Sequence, residues 1–143
     1  MPVTAIAGRV SEDLAILKEA QAETVTAPDR PHSALKFTVN GVSLHTHIAG
    51  VSNKAVLCLC GALGSALEDF GPQLMGLSGD HTVVSFDPRG YGQSYQGPGS
   101  HRTYPVNYLE RDADDGASLM SQIGFAKYAV MGWGEGAVSA IIL

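Results

Sequence analysis

The sequence predicts an α/β domain with a mostly parallel sheet and an antiparallel hairpin at its N-terminal side. Three observations support this fold class. Asn40-Gly41 separates two strand-like segments and is a strong hairpin signal. Apolar strands then alternate with helical segments, the order expected when helices cover both faces of a parallel sheet. Finally, the apolar run 128–131 turns sharply into a helix at Gly132-Trp133-Gly134-Glu135-Gly136.

The strands are predicted from their hydrophobic pattern. Segments 35–39 and 42–48 form the hairpin on either side of Asn40-Gly41. The runs 54–60 and 82–86 are apolar almost throughout, as expected of strands buried on both faces of a sheet. A last strand spans 127–131.

Three helical segments fall between or after these strands. Residues 65–77 contain a short helix that we expect to break near Gly71-Pro72, because proline removes a backbone donor. Residues 107–123 form a longer helix ended by Gly124, and a further helix begins at Glu135. The residues predicted to face inward from the longer helix are Leu109, Ala113, Gly116 or Ala117, Met120 and Ile123.

Residue usage divides the chain into two parts. Sixteen of the 17 glycines fall at or after Gly41, and turn-forming residues occupy 28–32. We therefore expect residues 1–32 to be an N-terminal tail with a modest helix at 11–23. Residues 33–143 then form one domain, which suits a chain of 143 residues.

Charge and hydropathy argue against two classes of partner. The formal net charge of -5 offers no basic surface to nucleic acid. The longest strongly apolar stretch, 55–63, is far shorter than the roughly 20 residues that cross a membrane. No secretory signal is visible in the first ten residues. Cys58 and Cys60 are expected to be buried reduced thiols, so we predict a cytoplasmic protein, with a mitochondrial location left open.

The strand-to-helix corner matches the G-x-S-x-G nucleophile elbow, in which a serine hydroxyl projects from a strained turn. Gly134 occupies the position of the nucleophile. Glycine tolerates positive φ, so Gly134 relaxes the turn while removing the hydroxyl. Gly132 and Gly136 make room for the strand and the helix to approach each other. The corner therefore predicts the scaffold of a serine hydrolase without its nucleophile.

Two further loops fit the same interpretation. The segment 87–94, Asp-Pro-Arg-Gly-Tyr-Gly-Gln-Ser, matches D-x-R-G-x-G-x-S, and we interpret it as a bracing loop in which Arg89 pairs with acidic groups. The segment 60–64 follows the third strand, where an elbow enzyme places one amide of its oxyanion hole. We assign the two oxyanion-hole backbone amides to Ala62 and to Glu135, the residue after the nucleophile position.

Together these segments resemble the α/β-hydrolase family, in particular its biphenyl-hydrolase-like serine hydrolases. The resemblance covers about residues 35–143 and runs through 39–42, 61–65, 69–74, 87–94, 110–113 and 132–133. It implies hydrolysis of small carboxylic esters, including amino-acid esters, through an acyl-enzyme. It also implies a serine where Gly134 stands, and an acid and a histidine from strands later in the fold. We therefore expect residues 33–143 to be an incomplete, truncated hydrolase domain that is inactive or very weak.

Two other classes of function stay open. One is a non-catalytic pseudoenzyme that binds an ester, a carboxylate or a protein partner, since the backbone amide donors remain although the serine is absent. The other is a dinucleotide-binding module, because Gly132, Gly134 and Ala137 also satisfy G-x-G-x-x-A, although that fingerprint needs an acidic residue about 20 positions later. We predict no cofactor. The carboxylate of Glu135 either pairs with a substrate ammonium group or favours the helix N-terminus.

The remaining titratable clusters receive simpler interpretations. His45 and His47 share one face of a strand and are interpreted as solvent-facing rather than as a metal site, because a third ligand is missing nearby. Asp112, Asp114 and Asp115 are interpreted as a solvated helix face, with contact between Asp112 and the core loops left open.

The strand at 127–131 also carries an expectation about partners. In the family that the chain resembles, this strand is internal to the sheet. No further strand follows it in this sequence, so we expect an apolar, unpaired edge through which the chain associates with itself.

Overall fold

The computed structural model describes residues 32–143, so the helix predicted at 11–23 lies outside the described residues. These residues form a five-stranded sheet with helices packed on both of its faces. In chain order the elements are β1 (His32–Val39), β2 (Val42–Ala49), β3 (Ala55–Leu59), α1 (Ala66–Gly76), β4 (Thr82–Phe86), a 3-10 turn (Gly92–Ser94), α2 (Tyr108–Ile123), β5 (Ala129–Gly132) and α3 (Glu135–Ile142).

The strand order is β1-β2-β4-β3-β5. The pairs β1–β2 and β2–β4 are antiparallel, whereas β3 pairs with β4 and β5 in parallel. The predicted hairpin is confirmed: Asn40 and Gly41 have φ angles of 49° and 78°, as a two-residue type I′ turn requires. β1 begins three residues earlier than predicted because His32 still pairs with Ala49 in this register.

The core lies on both faces of β3. Leu57 and Leu59 belong to a cluster with residues of α2, including Leu119 and Met120. Val56 and Cys58 point to the other face, where they pack with residues of α1 such as Phe70 and Leu74. Successive strand residues face opposite sides, so a strand covered on both sides is apolar throughout.

Helix α1 corrects one prediction, because it runs unbroken through Gly71 and Pro72. The proline ring lies on the exposed side of the helix, and the buried residues Phe70 and Leu74 flank it. A proline inside a helix costs about 3 kcal/mol, whereas burying two large apolar side chains contributes about 1.5–3 kcal/mol each. Packing against the sheet therefore outweighs the missing hydrogen bond.

Helix α2 confirms its predicted span and end. Gly124 has a φ of 107°, and its N–H and that of Phe125 donate to Met120 at 3.0 and 2.8 Å. Of the predicted inward residues, Ala113, Gly116 and Met120 are buried, whereas Leu109 and Ile123 are half-buried. Leu119, which the prediction omitted, is fully buried.

Strand β5 forms one edge of the sheet among the described residues. Its residues alternate between exposed and half-buried, and Met131 is exposed.

Within residues 32–143, none of the helices has the length and apolar character needed to cross a bilayer.

Candidate active-site corner

The turn from β5 into α3 has the geometry of a strained corner. Gly134 adopts φ 56° and ψ -129°, which is a backbone conformation that residues with a side chain rarely take. The N–H of Trp133 donates to the carbonyl of Leu59 at 3.2 Å, so the corner is tied to the end of β3. The N–H of Ala137 donates to the carbonyl of Gly134 at 3.0 Å and starts the helix. Gly134 thus lies at a tight bend at the carboxyl end of the sheet.

The three glycines of the corner differ in what they accommodate. A Cβ on Gly132 would overlap the backbone of Gly136 and Ala137, and a Cβ on Gly136 would overlap the carbonyl of Leu59. A Cβ on Gly134 would meet only the Cα of Gly61, at 3.7 Å. The flanking glycines are therefore required by close packing, as predicted, whereas the central position has room for a side chain that it does not carry.

The loop after β3 lies beside this corner. Asp69 Oδ2 accepts from the N–H of Gly61 at 2.9 Å, and the N–H of Gly64 donates to the carbonyl of Gly61 at 3.2 Å. The N–H of Ala62 donates to Glu135 Oε2 at 3.3 Å. The structure thus brings together all three residues assigned to the site, Gly134, Ala62 and Glu135. In this arrangement the carboxylate of Glu135 accepts a hydrogen bond from the Ala62 amide, one of the two amides assigned to the oxyanion hole.

The segment 87–94 makes the contacts of a bracing loop. Asp87 Oδ1 accepts from the N–H of Ala66 at the start of α1, and Oδ2 accepts from the N–H of Gln93, both at 2.9 Å. Ser94 Oγ donates to the carbonyl of Asp87 at 2.7 Å and accepts from the N–H of His45 at 2.9 Å. These side chains connect β2, β4 and α1, and both carboxylate oxygens of Asp87 are engaged.

Two ion pairs with buried carboxylates overturn the interpretation of the acidic cluster as a solvated face. Asp115 is 1% exposed and takes two hydrogen bonds from Arg89, at 2.7 and 2.8 Å. Asp112 is buried and pairs with Arg102. The hydrogen bond with Asp115 raises the pKa of Arg89 above its usual value. Only Asp114 is exposed, because helical spacing turns it away from the face that meets the loops.

The histidines also correct the sequence interpretation, because His45 and His47 are both buried rather than solvent-facing. His47 Nδ1 lies 3.1 Å from Nε2 of His32, and its ring meets the edge of the His45 ring. Burial, reinforced by the charges of His45 and His32, lowers the pKa of His47 to about 4. His47 is therefore neutral at pH 7. The reason for the burial is that β2 is paired on both sides and covered by α1 and the 87–94 loop.

A cavity of about 210 Å³ opens beside these histidines. Its lining consists of His45, His47, Ser65, Leu67, Glu68, Asp87, Tyr91, Gly92 and Gln93. None of the three residues of the corner lines it, so this cavity is separate from the candidate site.

Three other candidate nucleophiles, Cys58, Cys60 and Ser139, do not supply a reactive group at the corner. Cys58 and Cys60 are free and buried, and burial raises the pKa of each thiol to about 12. The reactive form of cysteine is the thiolate, so both thiols are inert at neutral pH. Ser139 Oγ donates to the carbonyl of Leu109 at 2.9 Å, away from the corner. Within residues 32–143, no group of three or more histidine, cysteine or acidic side chains is arranged to hold a metal ion.

The sheet order, the strained corner and the adjacent amide loop define an α/β-hydrolase. No protein-family model matches the chain. Serine hydrolase BPHL of Homo sapiens is 44% identical over 111 residues, which cover 77% of this chain and 37% of that protein. Serine hydrolase BPHL of Mus musculus is 41% identical over 123 residues, covering 85% of this chain and 41% of that protein. The chain belongs to the α/β-hydrolase family, which confirms the resemblance drawn from its motifs.

Comparison with solved structures shows the same fold. A 2-hydroxy-6-oxo-6-phenylhexa-2,4-dienoate hydrolase from Rhodococcus sp. strain RHA1 superposes with a TM-score of 0.65 at 23% identity, over 85% of this chain and 41% of that one. At this identity the likeness shows the fold alone. The chain spans about two fifths of the length of the curated relatives it matches.

Proposed function

We propose that this chain binds a small carboxylic ester or carboxylate at the Gly134 corner and turns it over very weakly or not at all. One observation carries the proposal: the elbow backbone is in place and has room for a side chain, yet Gly134 supplies no hydroxyl. Acyl transfer by a serine hydrolase needs that atom together with a general base. The similarity to the serine hydrolases BPHL supports a hydrolase, and the ester class, including amino-acid esters, is what the motif resemblance to the α/β-hydrolase family implies.

The groups that would hold the ligand are backbone amides. The N–H of Ala62 points toward Glu135, and the N–H of Glu135 belongs to the first turn of α3. Amides at a helix start favour negative charge, so these donors suit a carbonyl or carboxylate oxygen. The side chain of Glu135 already occupies the Ala62 amide, and an incoming carboxylate has to displace it.

This competition gives a direct test with butyrate as the probe. Replacing Glu135 by alanine frees the Ala62 amide and removes a like charge, so we expect about fivefold tighter butyrate binding, the size of one net hydrogen bond. Asp114→Ala, which removes an equal charge at an exposed site, is the matched control. NMR titration measures both affinities. If butyrate binds neither the native chain nor E135A, ligand binding at the corner is excluded.

Turnover is tested with a chromogenic butyrate ester. We expect no burst of released alcohol from the native chain, and none from Gly134→Ser, because the residues of 32–143 shown in contact with the corner include no histidine to activate a serine. A burst from G134S would show that a base reaches the corner. A burst from the native chain would overturn the proposal of a catalytically silent site.

A second candidate function is self-association through β5, and a specific observation favours it. Five large apolar side chains at this edge are exposed. They are Met131 in β5, Trp133 just after it, and Val138, Ile141 and Ile142 of α3. An unpaired strand edge beside an apolar helix face is a template for pairing with another chain. We propose that two copies pair through residues 127–131, and sedimentation velocity across a concentration series tests it.

We also propose a reducing, cytoplasmic setting. Two free, buried thiols that make no disulfide support it. Cell fractionation with a tagged chain measures the location, and recovery from an oxidising compartment would contradict the proposal.

A further inference from the structure

The carbonyl oxygen of Ala62 is held by two side chains from a distant part of the sequence. Arg102 Nε donates to it at 3.0 Å, and Tyr104 Oη donates to it at 2.9 Å. These donors lie 40 and 42 residues further along the chain, in a loop with no recognisable motif. Sequence reasoning did not identify either residue.

Arg102 is itself fixed from three sides. Its guanidinium pairs with both carboxylate oxygens of Asp112 on α2, and its Nη1 donates to Asp112 Oδ1 at 3.2 Å. Its backbone N–H donates to the carbonyl of Gly90 in the bracing loop at 2.9 Å. The side chain is 4% exposed. A bidentate, buried guanidinium has little freedom, so its contact with Ala62 ties this loop to a rigid support.

The contacts fix the direction of the Ala62 amide. That amide belongs to the peptide unit between Gly61 and Ala62, whose carbonyl accepts from Gly64, while Asp69 holds the N–H of Gly61. Arg102 and Tyr104 hold the next peptide unit through the carbonyl of Ala62. With a bond on each neighbouring peptide unit, rotation about Ala62 is restricted, and its N–H keeps pointing toward the corner, where Glu135 accepts it.

We propose that Arg102 and Tyr104 are positioning residues that orient the Ala62 amide toward the Gly134 corner. The proposal rests on the proposed function, because the amide is the group that would bind the ligand oxygen. Neither residue contacts the ligand itself. They act by holding one oxyanion donor ready, which avoids the cost of ordering it when a ligand binds.

Tyr104 offers the cleaner test because half of its side chain is exposed. Its hydroxyl donates to Ala62, and its ring meets the edge of Tyr108. Tyr104→Phe removes the hydroxyl and keeps the ring, so global stability should change little. Tyr95→Phe is the control, since Tyr95 is similarly exposed and lies in the same loop, 95–107, but its ring packs against His101 and its hydroxyl makes no bond to Ala62.

Two readouts separate orientation from folding. In Y104F we expect a shifted Ala62 amide resonance and about fivefold faster hydrogen exchange at that amide, the effect of one net hydrogen bond. Butyrate affinity should fall by about the same factor. Y95F should leave all three unchanged. An unaltered Ala62 resonance and exchange rate in Y104F would overturn the positioning role.

Arg102→Lys tests the contribution of Arg102 to the position of the Ala62 amide. Lysine keeps the charge opposite Asp112 but lacks the planar fork, so the Ala62 amide should be disturbed more than in Y104F. If R102K fails to fold, Y104F still decides the matter. If butyrate binds no variant while the Ala62 amide responds as expected, the proposed ligand fails and the positioning role stands.

Discussion

Two regions at the carboxyl ends of the parallel strands differ in how their polar groups are paired. Around β2, β4 and the 87–94 loop, buried charges and hydroxyls are paired with each other: Asp115 with Arg89, and Ser94 with Asp87. At the Gly134 corner the side chains are exposed, and a single bond of 3.3 Å links Ala62 to Glu135. Buried polar groups cost stability unless they are paired. The paired groups around the 87–94 loop therefore support the fold, whereas the exposed side chains of the corner contribute little to it.

This contrast explains how the corner keeps its shape with a glycine at position 134. The hydrogen bonds that shape the neighbouring loops come from residues other than Gly134. Gly132 and Gly136 are fixed by packing, whereas Gly134 is constrained only by its backbone angle. We therefore expect substitutions of the paired residues around the 87–94 loop to destabilise the chain strongly, and substitutions of Gly134 or Glu135 at the corner to leave it folded.

The largest effect should come from removing the buried carboxylate of Asp115. Asp115→Ala leaves Arg89 and Asn40 without their acceptor, and because the Arg89 side chain is partly exposed we expect a cost of about 3–4 kcal/mol, in the lower part of the range for breaking a buried pair. Asp114→Ala, one residue away but exposed, should change the free energy of unfolding by less than about 0.5 kcal/mol. Urea denaturation measures both. Equal effects of the two substitutions would contradict the conclusion that Asp115 stabilises the fold through its ion pair whereas the exposed Asp114 does not.

A second test compares two glycines within the corner. Gly136→Ala forces a Cβ against the carbonyls of Leu59 and Cys60, and such overpacking should cost about 3 kcal/mol. Gly134→Ala makes only an ordinary contact with the Cα of Gly61, so it should cost only about 1–2 kcal/mol for its strained backbone angles. Thermal unfolding of the two variants measures which substitution destabilises the chain more, and we expect it to be Gly136→Ala. A reversed order would mean that the corner is packed differently from what the structure shows.

The free energy of unfolding should also decrease as the pH is lowered, because of His47. Its pKa is lowered from 6.5 to about 4 in the fold, so between these values the unfolded chain binds more protons than the native one. The free energy of unfolding therefore decreases as pH drops from 6.5 to about 4, by at most about 3 kcal/mol. His47→Gln should remove this part of the pH dependence, whereas His101→Gln, at an exposed loop position, should retain it. Parallel pH profiles for H47Q and the native chain would contradict the assignment.

The sequence predicted local features well because their causes are local. The Asn40-Gly41 turn, the cap at Gly124 and the corner at Gly134 each depend on backbone angles that a few adjacent residues determine. The buried acids and histidines were missed because their surroundings are distant in sequence. Asp115 meets an arginine 26 residues away, and His47 meets His32 across the hairpin, 15 residues away. A charge becomes buried only through such partners, and no local pattern encodes them.

The smallest effect on stability should accompany a change in association. Met131→Lys places a charge on the exposed side of β5, where lysine is a known device against edge pairing. The free energy of unfolding should change little, while the sedimentation coefficient of the chain should become independent of concentration. Val51→Lys, at an exposed apolar residue outside the strands, is the control and should leave association intact. If M131K associates as strongly as V51K, the contact between copies lies elsewhere, and β5 is an edge without a role in assembly.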